Sequence, residues 1–134
     1  MNVRKDVDYS KLFADIDGVM TEQMTLMELY CEIGRLVSMH PAKGAAVAAA
    51  EFIQRAYPDV SGFSARNVRR MREFYLAYED DPTTMHTAMM IGWTQNVVIL
   101  ESDLTPEERT WYIRAVRQFD WSKLALTEMI KERA

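Results

Sequence analysis

A chain of 134 residues with 49% hydrophobic content and a formal net charge of -4 has the material for one folded domain with a proper core. The composition excludes a disordered chain, and the net charge excludes wholesale polyanion binding, so any contact with phosphate must come from a local patch. Cys31 stands alone, which excludes an intramolecular disulfide, suits a reducing compartment and reads as a small core residue rather than a nucleophile.

The expected fold class is mainly α, a single helical domain over residues 1–134 with an irregular extension at 1–18. Met1-Asn2-Val3-Arg4-Lys5-Asp6 leads into more charge, not into an apolar leader. No run approaches the ~20 apolar residues of a membrane helix, so the expected location is cytoplasmic, without a membrane partner. Met20, Met24, Met27, Cys31 and Gly34 repeat at helical steps and predict a long amphipathic helix from about Val19 to Met39. Pro41 and Gly44 mark its end. An alanine-rich helix follows from about Ala45 to Tyr57, and Pro58-Asp59-Val60-Ser61-Gly62 is a compact turn by composition.

The next helix is the most informative segment. Ser64 is a good N-cap, and Phe63 with Val68 has the spacing of a hydrophobic staple. Val68, Met71, Phe74, Tyr75 and Tyr78 share a face that wants a core, while Arg66, Arg69 and Arg70 fall on the other side. With Arg72, four of the eleven arginines lie within seven residues. Val60 to Tyr78 carries +3, whereas Met1 to Gly34 carries -4, from seven acidic residues against Arg4, Lys5 and Lys11. Such asymmetry fits a one-sided binding surface, or an acidic face that docks a basic one between copies.

Pro82 then breaks the chain, and short helices are expected over Thr84 to Ile91 and Thr94 to Glu101. Val97-Val98-Ile99-Leu100 is β-prone and is the one candidate strand. Thr105-Pro106-Glu107-Glu108 combines a cap, a first-turn proline and a capping box, and its helix runs to about Phe119. The last helix starts near Ser122. Gly62-Phe63-Ser64, Gly92-Trp93-Thr94 and Asp120-Trp121-Ser122 each place an aromatic before a hydroxyl residue, with Val68, Val98 and Leu126 four beyond it. All three read as stapled helix starts.

Residues 45–78 therefore outline a helix-turn-helix, whose second helix would enter the major groove by its N-terminal part. Ser64, Arg66, Asn67, Arg69 and Arg70 are the candidate contacts: arginine suits guanine and phosphate, asparagine suits adenine, and serine suits phosphate. Gln95 and Asn96, at the start of a later helix, are added to that set. A solvated arginine face is the commoner outcome for such a cluster taken alone.

The run from Gly62 to Tyr75 resembles the hallmark of the N-terminal domain of YhcG-type proteins, bacterial proteins in which this domain precedes a PDDEXK nuclease domain. Leu29-Tyr30-Cys31-Glu32-Ile33-Gly34-Arg35, Trp93-Thr94-Gln95-Asn96, Pro106 to Tyr112 and Trp121-Ser122 are similar too, so the likeness covers roughly Thr25 to Ile130. It implies a winged-helix-like, DNA-binding domain. The motif positions carried over are Phe63, Ser64, Arg66, Asn67, Arg70, Met71, Phe74 and Tyr75. Two departures are a short, alanine-rich stretch from Val37 to Val47 and Trp93-Thr94-Gln95-Asn96 in place of the more usual Trp-Ser-His.

A PDDEXK site needs an acidic residue two before a lysine. Two before Lys5, Lys11, Lys43, Lys123 and Lys131 stand Val3, Tyr9, Pro41, Trp121 and Met129, none of them acidic. His40 and His86 are far apart with no cysteine pair, and no glycine-rich phosphate loop occurs. The expectation is a chain with no catalytic residues, no metal site and no cofactor. Its expected partner is double-stranded DNA, with a homodimer and a separate nuclease domain or subunit as further partners. The alternative is a helical dimerisation or assembly module, in which the Arg66–Arg72 face meets the acidic N-terminal helix of another copy.

Overall fold

The computed structural model describes residues 7–133. Met1 to Asp6, with the Arg4, Lys5 and Asp6 charges counted above, lie outside them. Eight helices run through the described residues, with no strand among them: α1 (Ser10–Met20), α2 (Leu26–Met39), α3 (Ala45–Ala56), α4 (Ala65–Tyr78), α5 (Pro82–Ala88), α6 (Trp93–Glu101), α7 (Pro106–Phe119) and α8 (Lys123–Glu132). The chain divides into two compact units, Met1–Arg72 and Glu73–Ala134, and the division falls inside α4.

The mainly α class is as expected, and most boundaries fall within a few residues of their predicted positions. Four expectations differ from the structure. The stripe from Met20 to Gly34 is not one helix. Thr25 forms a capping box with Glu28, each side chain bonding the other's backbone N–H, and this starts α2 afresh. Upstream, Ser10 to Met20 is helical where an irregular extension was expected. The β-prone Val97–Leu100 lies within α6, so no β-hairpin wing accompanies α4 among the described residues. At α6 the N-cap is Gly92, not Thr94: the Gln95 carboxamide oxygen accepts from the Gly92 N–H at 2.7 Å. Trp93 is therefore the first helical residue rather than a staple outside the cap.

In the first unit α1 packs on α2 and α3, and α2 on α3. Ile16, Ile33, Val37 and Ile53 fill the centre. Ala45, Ala46, Ala49 and Ala50 are all buried, because their small side chains let α3 approach its neighbours closely. The Phe13 and Phe52 rings stack at 4.4 Å with only 5° between planes. Gly34 is the tightest point: a Cβ there would overlap the Met71 carbonyl, so α2 lies directly on the main chain of α4. Val68 and Met71 of α4 are fully buried in the same region. Cys31 is half-buried, and burial first, then the neighbouring Glu32 charge, pushes its thiol up to about 11. A thiol so far from ionisation is no nucleophile, in line with its reading as a packing residue.

In the second unit α7 packs on α5 and α6, and α6 on α8. Phe74 is fully buried and meets the rings of Tyr78 at 5.3 Å and Trp93 at 5.7 Å, both edge to face. Ile99, Ile113 and Leu126 complete the centre. Thr105 and Glu108 form the expected capping box. Ser122 caps α8 by accepting from the Ala125 N–H at 3.1 Å, with Trp121 before it and buried Leu126 after it. Asp81 caps α5: its carboxylate accepts from the Thr84 hydroxyl at 2.6 Å and the Thr84 N–H at 3.1 Å. These bonds hold the Asp81 carboxyl below the usual carboxylate range.

This packing makes alanine act with opposite signs at two helical glycines. Gly18 has open space around its missing Cβ, so Gly18→Ala should stabilise by about 0.5–1 kcal/mol. Gly34→Ala should destabilise by about 2 kcal/mol or more, since main chain cannot swing aside as a side chain can. Chemical denaturation measures both, and a stabilising Gly34→Ala would refute the close crossing. Phe74→Ala should cost about 3–5 kcal/mol, as emptying a buried aromatic site does, and a variant that melts like the parent would remove it from the core.

The cap of α5 should respond to acid. A carboxyl with a depressed folded pKa contributes stability above its unfolded value and loses it as pH falls through the folded one. Asp81→Ala should therefore lower the melting temperature at pH 7, and the gap should close progressively below about pH 4. A gap that is constant from pH 7 to pH 2 would contradict the assigned cap.

Candidate functional site

The site is built around the turn that joins α3 to α4. α3 ends at Ala56 because Tyr57 leaves helical geometry, and Pro58 follows. Gly62 has φ +93°, a conformation that suits glycine, and any Cβ there would strike the Tyr30 hydroxyl. The Tyr30 and Phe63 rings meet edge to face at 5.7 Å, and Phe63 is buried. From α3, Gln54 Nε2 donates to the Phe63 carbonyl at 2.8 Å. The turn is thus held from α2 by a ring contact and from α3 by a hydrogen bond. It spans Tyr57 to Ser64, longer than the turn of about three or four residues in a tight helix-turn-helix.

Ser64 caps α4 as expected, its hydroxyl oxygen accepting from the Asn67 N–H at 3.1 Å. Asn67 has a different position from the one a base-reading residue needs. Its side-chain Nδ2 donates to the Gly62 carbonyl at 2.6 Å, closing the turn onto the first turn of the helix. Its amide is a brace for the turn, and it is half-buried. The arginines separate into two pairs. Arg66 and Arg69 are exposed, three residues apart on the outer face of α4. Arg70 and Arg72 are half-buried and engaged in interactions of their own. On the opposite side Val68 and Met71 are buried, so the first half of α4 has the amphipathic division its sequence predicts.

The first unit thus brings together Ser64, Arg66, Asn67, Arg69 and Arg70 on one helical stretch. Ser64, Arg66 and Arg69 are the exposed members. No ion pair neutralises Arg66 or Arg69 among the described residues, whereas Arg35 is paired with Glu32 at 2.7 Å. Two exposed guanidinium groups one helical turn apart can engage neighbouring phosphates or a guanine edge.

Gln95 and Asn96 belong to the second unit and have structural positions there. Gln95 Oε1 accepts from Gly92 N–H, and its Nε2 donates to the Trp121 carbonyl at 2.9 Å. Asn96 is fully buried, and its Nδ2 donates to the Ala88 and Gly92 carbonyls at 2.9 and 3.1 Å. A side chain without solvent access cannot meet a nucleic acid, so Asn96 leaves the set of DNA-facing candidates. Gln95, with both ends of its carboxamide bonded, leaves with it. These two residues seal the start of α6. The turn chemistry of Gly92 was the signal in the sequence, because glycine caps leave the polar residue three positions on free to bond back.

The second unit also exposes aromatic surface that sequence reasoning overlooked: Trp111 and Phe119 are each more than half exposed. Tyr112, Ile113, Ala115 and Val116 are the buried residues of α7, and Trp111, one turn before Ala115, flanks that side, so the sequence of the helix alone did not mark it as exposed. No group of three or more His, Cys, Asp or Glu side chains that could hold a metal ion occurs among the described residues. No helix there is long and apolar enough to cross a membrane.

Comparison with known proteins found no match among curated proteins and none among solved structures. The family comparison matched residues 18–134 to the DUF1016 N-terminal domain. That span holds the whole α3–turn–α4 segment and every motif by which the sequence resembles the YhcG-type N-terminal domain. The chain belongs to the DUF1016 N-terminal domain family.

Proposed function

We propose that this chain is a non-catalytic DNA-binding domain that grips duplex DNA through the first half of α4. The observation that carries the reading is the pair of exposed, unneutralised arginines, Arg66 and Arg69, on a helix start braced from two neighbouring helices. Bracing matters because a preorganised donor array loses little side-chain and loop freedom on binding. Ser64 adds a hydroxyl at the helix N-terminus, where the helix dipole favours an anion. Arg70 has a supporting position, half-buried beside the exposed pair. The mechanism is electrostatic capture with groove reading by α4, and the chemistry of any nuclease resides in a separate domain or subunit that this domain would bring to DNA.

The assembly reading requires the acidic N-terminal helix to receive those arginines from another copy. Two of its carboxylates are already engaged within the unit. Lys11 meets Asp15 at 3.3 Å, and the Tyr57 hydroxyl donates to Asp17 at 2.7 Å.

Replacing Arg66 and Arg69 together by Ala should weaken binding to a fluorescein-labelled duplex and flatten its salt dependence. The slope of log K against log salt should fall by about 0.9 for each phosphate that is no longer neutralised. Since both side chains are exposed, the variant should melt within about 0.5 kcal/mol of the parent. Anisotropy titrations at several salt concentrations measure the binding. Undiminished affinity in the double variant would remove α4 from the interface.

A further inference from the structure

His40 stands at a junction of three elements in the first unit. It is the C-cap of α2, and the connection to α3 follows it. Its ring meets the ring of Tyr9, just ahead of α1, with centroids 4.8 Å apart. Tyr9 stacks on Phe13 at 5.9 Å, and the Phe13–Phe52 stack carries the row of rings on to α3.

Both ring nitrogens of His40 are engaged across this junction. Nδ1 accepts from the Ala42 N–H at 3.1 Å, and Nε2 lies 3.3 Å from the Asp8 carbonyl. A main-chain N–H only donates and a carbonyl only accepts, so this geometry requires the neutral ring with its proton on Nε2. Ala42 in turn fixes the start of α3, since its carbonyl accepts from the Ala45 N–H at 3.2 Å.

The charges around the ring supply an alternative partner. The Asp8 carboxylate is within electrostatic reach of His40. Asp8 Oδ1 accepts from the Ser10 hydroxyl at 2.5 Å and from the Ser10 N–H at 2.9 Å, and these bonds hold the exposed carboxyl below the usual carboxylate range. Oδ2 accepts no hydrogen bond among the described residues. Lys11 and Asp15 line a cavity of about 290 Å³ together with Asp8 and His40, and they pair with each other at 3.3 Å. Lys43 and Glu51 line a separate cleft on the α3 side of Tyr9. The last turn of α2, Leu36 to Met39, carries no charge. Asp8 is therefore the acid that can take a new donor from the ring.

We propose that His40 is a proton-operated latch between the entry to α1 and the start of α3. A proton taken from solvent goes to Nδ1, which then points an N–H at the Ala42 N–H. Two donors cannot share that line, so the Ala42 bond breaks. The imidazolium turns its new donor to the Asp8 carboxylate, a charge-assisted bond in place of a neutral one. The neutral ring thus ties the α1 entry to the α3 start, whereas the charged ring belongs to the α1 side alone. The latch does not depend on the reading of α4.

The test follows ring-nitrogen and amide resonances of the isotope-labelled whole chain from about pH 8 to about pH 5, the span in which imidazole ordinarily changes charge. His86, exposed on α5, is the other histidine and serves as an internal reference. At the upper end His40 should carry its proton on Nε2. Across the span the Ala42 amide should shift in step with the His40 ring and independently of His86. His40→Gln cannot titrate, so its Ala42 amide should hold one position throughout. Asp8→Asn keeps the main-chain carbonyl and an acceptor for Ser10 but removes the charge, so the change at Ala42 should require more acid. A neutral ring protonated on Nδ1, or a His40 ring that titrates while the Ala42 amide stays in place, would overturn the proposal. So would a ring that remains neutral across the whole span, or an Asp8→Asn variant that titrates like the parent.

Discussion

At Gly34 no side chain separates α2 from the Met71 carbonyl of α4. Everything proposed for α4 depends on this crossing. It sets the depth at which Val68 and Met71 are buried, and so which residues of the same helix remain outside. Arg66 and Arg69 are exposed because the helix is pinned along its other side. A helix held by side chains alone could roll, and its cationic face would have no fixed direction.

The turn before α4 repeats the same principle on a smaller scale. Gly62 lets the chain pass over Tyr30 where a Cβ could not fit, and Asn67 ties the first turn of the helix back to the Gly62 carbonyl. Gln54 and Phe63 add a link to α3. Polar residues that a motif-based reading would assign to DNA are in this way consumed by the geometry that presents the arginines. Asn67 and Asn96 share this role: each carboxamide satisfies main-chain groups near a helix start, one in each unit.

Much of this was legible in the sequence. Helical periodicity and capping residues located α3, α4, α7 and α8 closely, because Ser64, Thr105 and Ser122 all cap as their side chains suggest. The break between α1 and α2 was not, although Thr25 and Glu28 have capping-box spacing. The methionine stripe continues in phase across the break and masks it. The apparent strand in α6 failed because β-branched residues in a short segment obey tertiary packing before propensity, and Ile99 is buried among helices. Which arginines are exposed could not be read from one helix: Arg70 flanks the exposed face and yet is half-buried. The same limit hid Trp111 and Phe119, since large aromatics are ordinarily assigned to a core.

The central claim is that duplex DNA meets the outer face of the first half of α4. Amide resonances of the labelled chain, at 15.6 kDa well suited to solution measurement, can be followed during titration with a short duplex at low salt. The account predicts shifts concentrated between Ser64 and Arg70, reversed by added salt, with the fully buried Asn96 amide group unmoved. Shifts confined to other helices, or none at DNA concentrations well above the protein's, would contradict it.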